Sequence, residues 1–204
     1  MIKTIIFDFG NVFINLNDAY TLDYIKHFES SEHFDDIIKT NIAFEKGLIS
    51  TEEFLNNYTI YFPEQSKDDI IFKWNSILDD FPKHRLDFLK ELKTSSKCKL
   101  ILLSNTNNLH INWIQENIPF YNEFKDCFNE FYLSHEMNLR KPDANIFNFV
   151  LNKNNLRANE CLFVDDNLDN INTAKKLNFI TWHINPKIDD VSNLFNLNNN
   201  FINL

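Results

Sequence analysis

Glycine is nearly absent. The 204-residue chain holds only Gly10 and Gly47, 37 positions apart, so neither a Walker loop nor a dinucleotide fingerprint can be written anywhere in it. Basic blocks are missing too. Lys and Arg number 20 against 29 Asp and Glu, for a net charge of -9, and no cluster of cations is present to track a nucleic-acid backbone, which excludes nucleic acid as the main partner. The three cysteines, Cys98, Cys127 and Cys161, are odd in number, widely spaced and free of any CxxC pair. That pattern argues against zinc or a disulfide framework and for apolar thiols in a reducing compartment. No run approaches the roughly 18 apolar residues of a membrane span, and the start MIKTIIFDFG lacks the apolar core and cleavage site of a signal peptide. A cytoplasmic protein without membrane contact is expected, as a monomer or weak homodimer. What the chain does have is phenylalanine: 21 of them supply bulky core material for one medium domain, or one domain with an insertion.

Five short apolar runs read as strands, at residues 3–8, 98–104, 129–134, 160–165 and 179–184. Segments of helical period lie at 107–117, 142–154 and 167–178, and residues 84–95 carry Leu86, Leu89 and Leu92 on one face. The alternation predicts an α/β fold, a Rossmann-like parallel sheet of about five strands flanked by helices. About ninety residues separate the first two strands, and their period is helical at Asp18–Glu29, Glu32–Lys39, Thr51–Phe62 and Lys67–Leu78. This predicts an inserted all-α cap over residues 17–83, within a core built from 1–16 and 84–204. Ser50 and Glu53 have the spacing of a capping box, Gly47 ends the helix before it, and Pro142 suits the first turn of a helix. The Asn-rich tail after Pro186 reads as irregular.

Four places carry candidate chemistry. The first run ends at Asp8, and Gly10 follows two residues later, where a sharp turn or close backbone approach would need it. Asp8 stands at the carboxyl end of a parallel strand, where open α/β sheets place their sites. The fourth run ends at Asp165-Asp166, an adjacent pair whose mutual repulsion a bound cation would relieve; magnesium takes one or two carboxylates with water, backbone oxygen and phosphate. One member of the pair could instead cap the next helix. Ser104-Asn105-Thr106 ends the second run before a helix, a ready anion site. Lys141 precedes Pro142, which holds it extended and projects its ammonium. The six histidines, His27, His33, His84, His110, His135 and His183, have no metal-like spacing, though His110 and His135 follow strand ends.

Taken in order, IIFDFGNV, LLSNTN, RKPD and FVDDNLDN resemble the haloacid dehalogenase superfamily, whose members place a nucleophilic Asp, a Ser or Thr, a Lys and an acidic pair at successive strand ends. The resemblance spans 1–16 and 84–186, and the insertion looks like a C1-type cap. More narrowly, the motifs are similar to the sugar-phosphatase branch that includes α-glucose-1-phosphate phosphatases. The resemblance implies a Mg²⁺-dependent phosphatase acting on a small phosphorylated metabolite through an aspartyl-phosphate on Asp8. It implies that Ser104, Asn105 and Lys141 bind the phosphoryl group, that Asp8, Asp166 and the Gly10 carbonyl bind the metal, and that Asp165 and Asn170 support them from behind.

Gly10 is a departure, because most phosphatases of this superfamily carry there a second Asp that protonates the leaving oxygen. General acid help is worth about 10²- to 10⁴-fold. Its absence favours a less basic leaving group, such as a hexose released from its anomeric oxygen in glucose-1-phosphate. Three other readings remain: a non-catalytic phospho-ligand-binding protein on the same fold, a haloacid dehalogenase, and a phosphotransferase such as a sugar-phosphate mutase, which the missing acid disfavours. Residues of the insertion that face the site should select the substrate; the segment Phe44-Glu45-Lys46-Gly47 is one place to look, although a helix end with solvated charges accounts for it better.

Overall fold

The computed structural model describes residues 1–17 and 31–196; the expected helix at Asp18–Glu29 lies outside them. Five strands form one parallel sheet: β1 Thr4–Phe7, β2 Lys99–Ser104, β3 Glu130–Leu133, β4 Cys161–Asp165 and β5 Ile180–His183, in the order β3-β2-β1-β4-β5. All five predicted strands are present. β1 is central and buried along its whole length, which is why it reads as a continuous apolar run rather than an alternating one. Its side chains still divide between two faces. Ile5 and Phe7 join Leu100, Leu102, Leu162 and Val164 in one core, while Ile6 joins Ile101, Leu103, Cys161 and Phe163 in the other, as the two-residue period of a strand requires.

The helices are α1 Phe34–Glu45, α2 Thr51–Tyr61, α3 Lys67–Asn75, α4 Lys83–Ser95, α5 Asn108–Asn117, α6 Tyr121–Asp126, α7 Ser134–Met137, α8 Ala144–Lys153 and α9 Leu168–Lys176. On one face of the sheet, Phe124 of α6 packs its ring within 5.0 Å, centroid to centroid, of Phe9, Phe13, Phe81 and Phe128. This cluster is one use of the many phenylalanines. Helices α8 and α9 cover the other face through Ile146, Phe147, Val150, Ile171 and Ala174.

Helices α1, α2 and α3 bury Ile37, Phe44, Phe54, Tyr58, Ile70 and Trp74 against one another, with Leu109 of α5 added from the sheet domain. The strands of chain that lead in and out of this helical insertion pair with each other. Asn15 N donates to Asp80 O at 2.8 Å, Asp79 N to Asn15 O at 3.0 Å, and Asn17 N to Ile77 O at 2.9 Å. Buried Arg85 holds the same junction, reaching Phe13 O at 3.1 Å, Asn15 Oδ1 at 2.8 Å and Asp190 Oδ2 at 2.9 Å.

Several local expectations hold. Ser50 and Glu53 form a capping box, and Gly47 leaves α1 with φ +64°. Others change. Pro142 is not in the first turn of α8; Asp143 is the N-cap, so the proline stands one residue before the cap and two before the helix. Gly10 does not adopt a left-handed conformation, and Asn11 does, at φ 54°. The turn after β1 therefore uses the tolerance of Asn for this region. Neither carboxylate of the acidic pair caps α9. Asn167 does so, accepting from Asp169 N and Asn170 N. The tail after Pro186 includes a short 3₁₀ helix, Val191–Asn196.

Candidate active site

Strand register builds the site. Phe7 lies opposite Leu102 on one side and Val164 on the other, and Asp8 N continues the ladder to Val164 O at 2.9 Å. Asp8, Ser104 and Asp165 thus emerge at the same carboxyl edge. The strand order reverses between β1 and β4, and such a switch point leaves a crevice for ligands.

Lys141 lies at the centre and is fully buried. Its Nζ is 2.8 Å from Asp8 Oδ1 and 2.7 Å from Asp165 Oδ2. Burial alone would push this ammonium down, but Asp165 and Asp8 hold it above the ordinary lysine range. Its backbone is clamped as well: Lys141 N donates to Asn105 Oδ1 at 2.9 Å, and Asn105 Nδ2 donates to Lys141 O at 2.8 Å. Asn105, expected as a phosphate donor, instead commits both ends of its amide to this backbone. Ser104 sits beside it, buried at the end of β2.

Asp165 is also fully buried. Besides Lys141 it accepts from Asn167 N at 2.8 Å, and from Asn170 Nδ2 at 3.0 Å on each oxygen. Three donor groups thus reach this carboxylate through four contacts, most of the hydrogen bonds it can accept. Asp166 accepts from Asn11 Nδ2 at 2.9 Å, while Asn11 Oδ1 accepts from Leu16 N at 3.1 Å. Asn11 was not among the candidates read from sequence. The available signal was an Asn directly after the glycine of the turn, where φ > 0 is needed.

Asp8, Asp165 and Asp166 each place one oxygen within 4.8 Å of the others. Three carboxylates against one ammonium leave negative charge uncompensated. Burial raises the Asp8 carboxyl well above the usual range; Lys141 opposes this, and Asp165 and Asp166 add to it. Asp166 is raised by burial too, with the Asn11 hydrogen bond opposing and Asp165 adding. A hard divalent cation fits such a donor set. Within the cluster, Asp8 and Asp166 carry fewer protein donors than Asp165: Asp8 accepts from Phe9 N and Lys141 Nζ, and Asp166 from Asn11 Nδ2.

Among the described residues, the helical insertion meets this edge at two places. Trp74 of α3 stacks on His110 of α5 at 5.4 Å. His110 Nε2 donates to Trp74 O at 3.1 Å, Asn107 Nδ2 donates to His110 Nδ1 at 3.2 Å, and Trp74 Nε1 donates to Asn107 Oδ1 at 3.2 Å. At the second place the turn after α1 docks on the loop that carries Lys141, and Arg140 pairs with Glu45 at 2.8 Å.

This geometry agrees with sequence comparison, in which residues 2–178 match haloacid dehalogenase-like hydrolases. The chain belongs to this family. Among haloacid dehalogenase-like relatives, it is 30% identical over 191 residues to a D-ribitol-5-phosphate phosphatase of Bacteroides thetaiotaomicron, covering 89% of this chain and 91% of that one. A HAD family enzyme of the same organism, solved in complex with magnesium and inorganic phosphate, superposes with a TM-score of 0.80 at 32% identity, over 96% of this chain and 100% of that one. A HAD-like family hydrolase of Porphyromonas gingivalis gives a TM-score of 0.81 at 25% identity, over 97% and 98% of the two chains.

Proposed function

We propose that this chain is a Mg²⁺-dependent phosphatase of small sugar or polyol phosphates, working through an aspartyl-phosphate on Asp8. The observation that carries the reading is the fully buried Lys141 bridging Asp8 and Asp165 at the sheet's switch point, with Asp166 facing them. An ammonium buried against a strand-end carboxylate is an anion clamp beside a nucleophile. The phosphatase and phosphate-bound relatives support the same reaction class.

In the first step a carboxylate oxygen of Asp8 attacks phosphorus, and the bond from phosphorus to the leaving oxygen breaks. The leaving oxygen takes its proton from water. In the second step water attacks the phosphorus of the aspartyl-phosphate, the bond from phosphorus to the Asp8 oxygen breaks, and orthophosphate leaves with the Asp8 carboxylate restored. Lys141 and the Ser104 hydroxyl hold non-bridging oxygens where charge is greatest. Asp165, itself fixed by Asn170 and Asn167, keeps the ammonium aimed. Asp8, Asp166 and the Gly10 carbonyl would hold Mg²⁺, which would neutralise phosphoryl charge. The helical insertion serves as a cap over this edge, with a core of 1–16 and 84–204 and a cap of 17–83; the paired linkers at 15–17 and 77–80 support that division.

The ribitol phosphatase supports a polyol leaving group, and Gly10 supports one that needs little protonation, as in glucose-1-phosphate. A panel of D-ribitol 5-phosphate, glucose-1-phosphate, glucose-6-phosphate and p-nitrophenyl phosphate, each titrated with Mg²⁺, tests the proposal. Metal-dependent turnover of sugar or polyol esters is expected. Failure to hydrolyse even p-nitrophenyl phosphate, whose leaving group needs little help, would make the chain a phospho-ligand-binding protein.

A further inference from the structure

The turn Glu45-Lys46-Gly47, at the end of α1, is seated on the loop between β3 and α8. Ser134 Oγ lies 2.6 Å from Glu45 O, Asn138 Nδ2 donates to Lys46 O at 2.9 Å, and Lys46 Nζ reaches Asp143 Oδ2 at 2.8 Å. Gly47 lies so close that a Cβ there would fall 2.0 Å from His135 O. Glu45 Oε2 accepts from Arg140 Nε at 2.9 Å and meets Nη2 at 2.8 Å. Burial raises the Glu45 carboxyl, Arg140 opposes that, and the field of Lys141 also reaches it. The loop so fastened is the one that delivers Lys141. Asn105 holds the backbone of Lys141 and Asp165 holds its ammonium; the residue just before it is held by Glu45, from the insertion.

We infer that Glu45 is a positioning residue: through Arg140 it sets the placement of Lys141, so the helical insertion adjusts the phosphate clamp without touching the reacting atoms. In its kinetic arm this rests on the phosphatase reading. Displacing a reacting group by about an ångström costs roughly 10²-fold, and the ion pair is one residue away from the group that must not move.

The test compares Glu45→Gln, Arg140→Gln, the charge-exchanged pair Glu45→Arg with Arg140→Glu, and Lys46→Met, which unfastens the same turn without touching Arg140. For each, kcat and KM are measured on p-nitrophenyl phosphate and on a polyol phosphate, together with calorimetric affinity for inorganic phosphate in Mg²⁺ and the melting temperature. Glu45→Gln and Arg140→Gln should lose about 10- to 100-fold in kcat, alike on both substrates, with weaker phosphate binding. The exchanged pair should recover most of that loss, and Lys46→Met should stay near wild type in kcat. Wild-type kcat and phosphate affinity in Glu45→Gln, with only a lower melting temperature, would overturn the inference. Equal losses in Lys46→Met would overturn it as well, and so would a loss confined to the polyol ester, which would make Glu45 a substrate-reading group. If wild type turns over no ester, the phosphatase reading fails, while phosphate affinity in Glu45→Gln still decides this one.

Discussion

Asp165 and Asp166 are neighbours in the chain but face opposite demands. Asp165 is enclosed by Lys141, Asn167 and Asn170, whereas the Asp166 carboxylate accepts from the Asn11 amide. Replacing Asp165 by Asn therefore removes half of a buried ion pair and turns an acceptor into a donor facing Asn170. Breaking such pairs costs about 3 to 5 kcal/mol; the low end, about 3 kcal/mol, is expected because Asp8 still pairs with Lys141. Urea unfolding measures it, and a loss below 1 kcal/mol would refute the role given to Asp165. Gly10 allows a gain-of-function test. A Cβ there would meet Leu16 Cδ1 at 3.1 Å, the end of a half-buried flexible side chain, and the backbone needs no left-handed conformation. Gly10→Asp should thus fold. If the missing acid limits primary-alcohol esters, the variant should raise kcat/KM for glucose-6-phosphate relative to p-nitrophenyl phosphate by up to about 10²-fold. An unchanged ratio would mean that another group already protonates the leaving oxygen.

At the level of elements, the contact between α3 and α5 sets a pH dependence. Burial pushes the His110 imidazole down from 6.5 to about 4, with the Trp74 carbonyl opposing. The folded pKa lies below the unfolded one, so the unfolded chain binds more protons between these values. The neutral ring's contribution is complete above about pH 6.5 and is lost as pH falls toward 4, on the order of 3 kcal/mol in all. His110→Gln should flatten that part of the curve when urea midpoints are compared with wild type from pH 7 to 4; parallel curves would show that His110 does not titrate on unfolding. This contact also marks where sequence reading stops. The strands, α4, α5, α8 and α9 were legible because burial of one face or both imposes a period. Helices α6 and α7, of 6 and 4 residues, are too short to show one. α1 runs on to Glu45, as the stop at Gly47 requires, although its helical period is readable only to Lys39: Thr40 and Asn41 interrupt the apolar pattern and are satisfied by Tyr61 and Tyr58 of α2 at 3.0 and 2.6 Å. Asp8, Lys141, Asp165 and Asp166 were legible as strand-end and loop residues with charge and no local partner. The double use of Asn105 and the Glu45–Arg140 pair depend on register and docking, which leave no local mark.

The whole molecule carries a net charge of -9 and gathers three of its carboxylates around one lysine. Without metal, Asp8 and Asp166 both have raised pKa values, chiefly from burial. A raised acid stabilises the fold while protonated, and that contribution is lost as pH rises through its folded pKa. Metal binding works in the opposite direction, because a ligand carboxylate must be ionised. Mg²⁺ should therefore stabilise the protein weakly near pH 5 and more strongly near pH 7.5. A ligand that binds only the native state at one hundred times its Kd adds about 2.7 kcal/mol, equivalent to roughly 5 to 10 °C in melting temperature for a chain of this size. Thermal melts with Mg²⁺ and with EDTA at the two pH values measure the shift. Asp166→Asn should abolish most of it. Asp165→Asn should start from a lower melting temperature and keep it, since protein donors already take up most of the hydrogen bonds that carboxylate can accept. Loss of the Mg²⁺ shift in Asp165→Asn with retention in Asp166→Asn would reverse the roles of the pair and move the metal to the other side of Lys141.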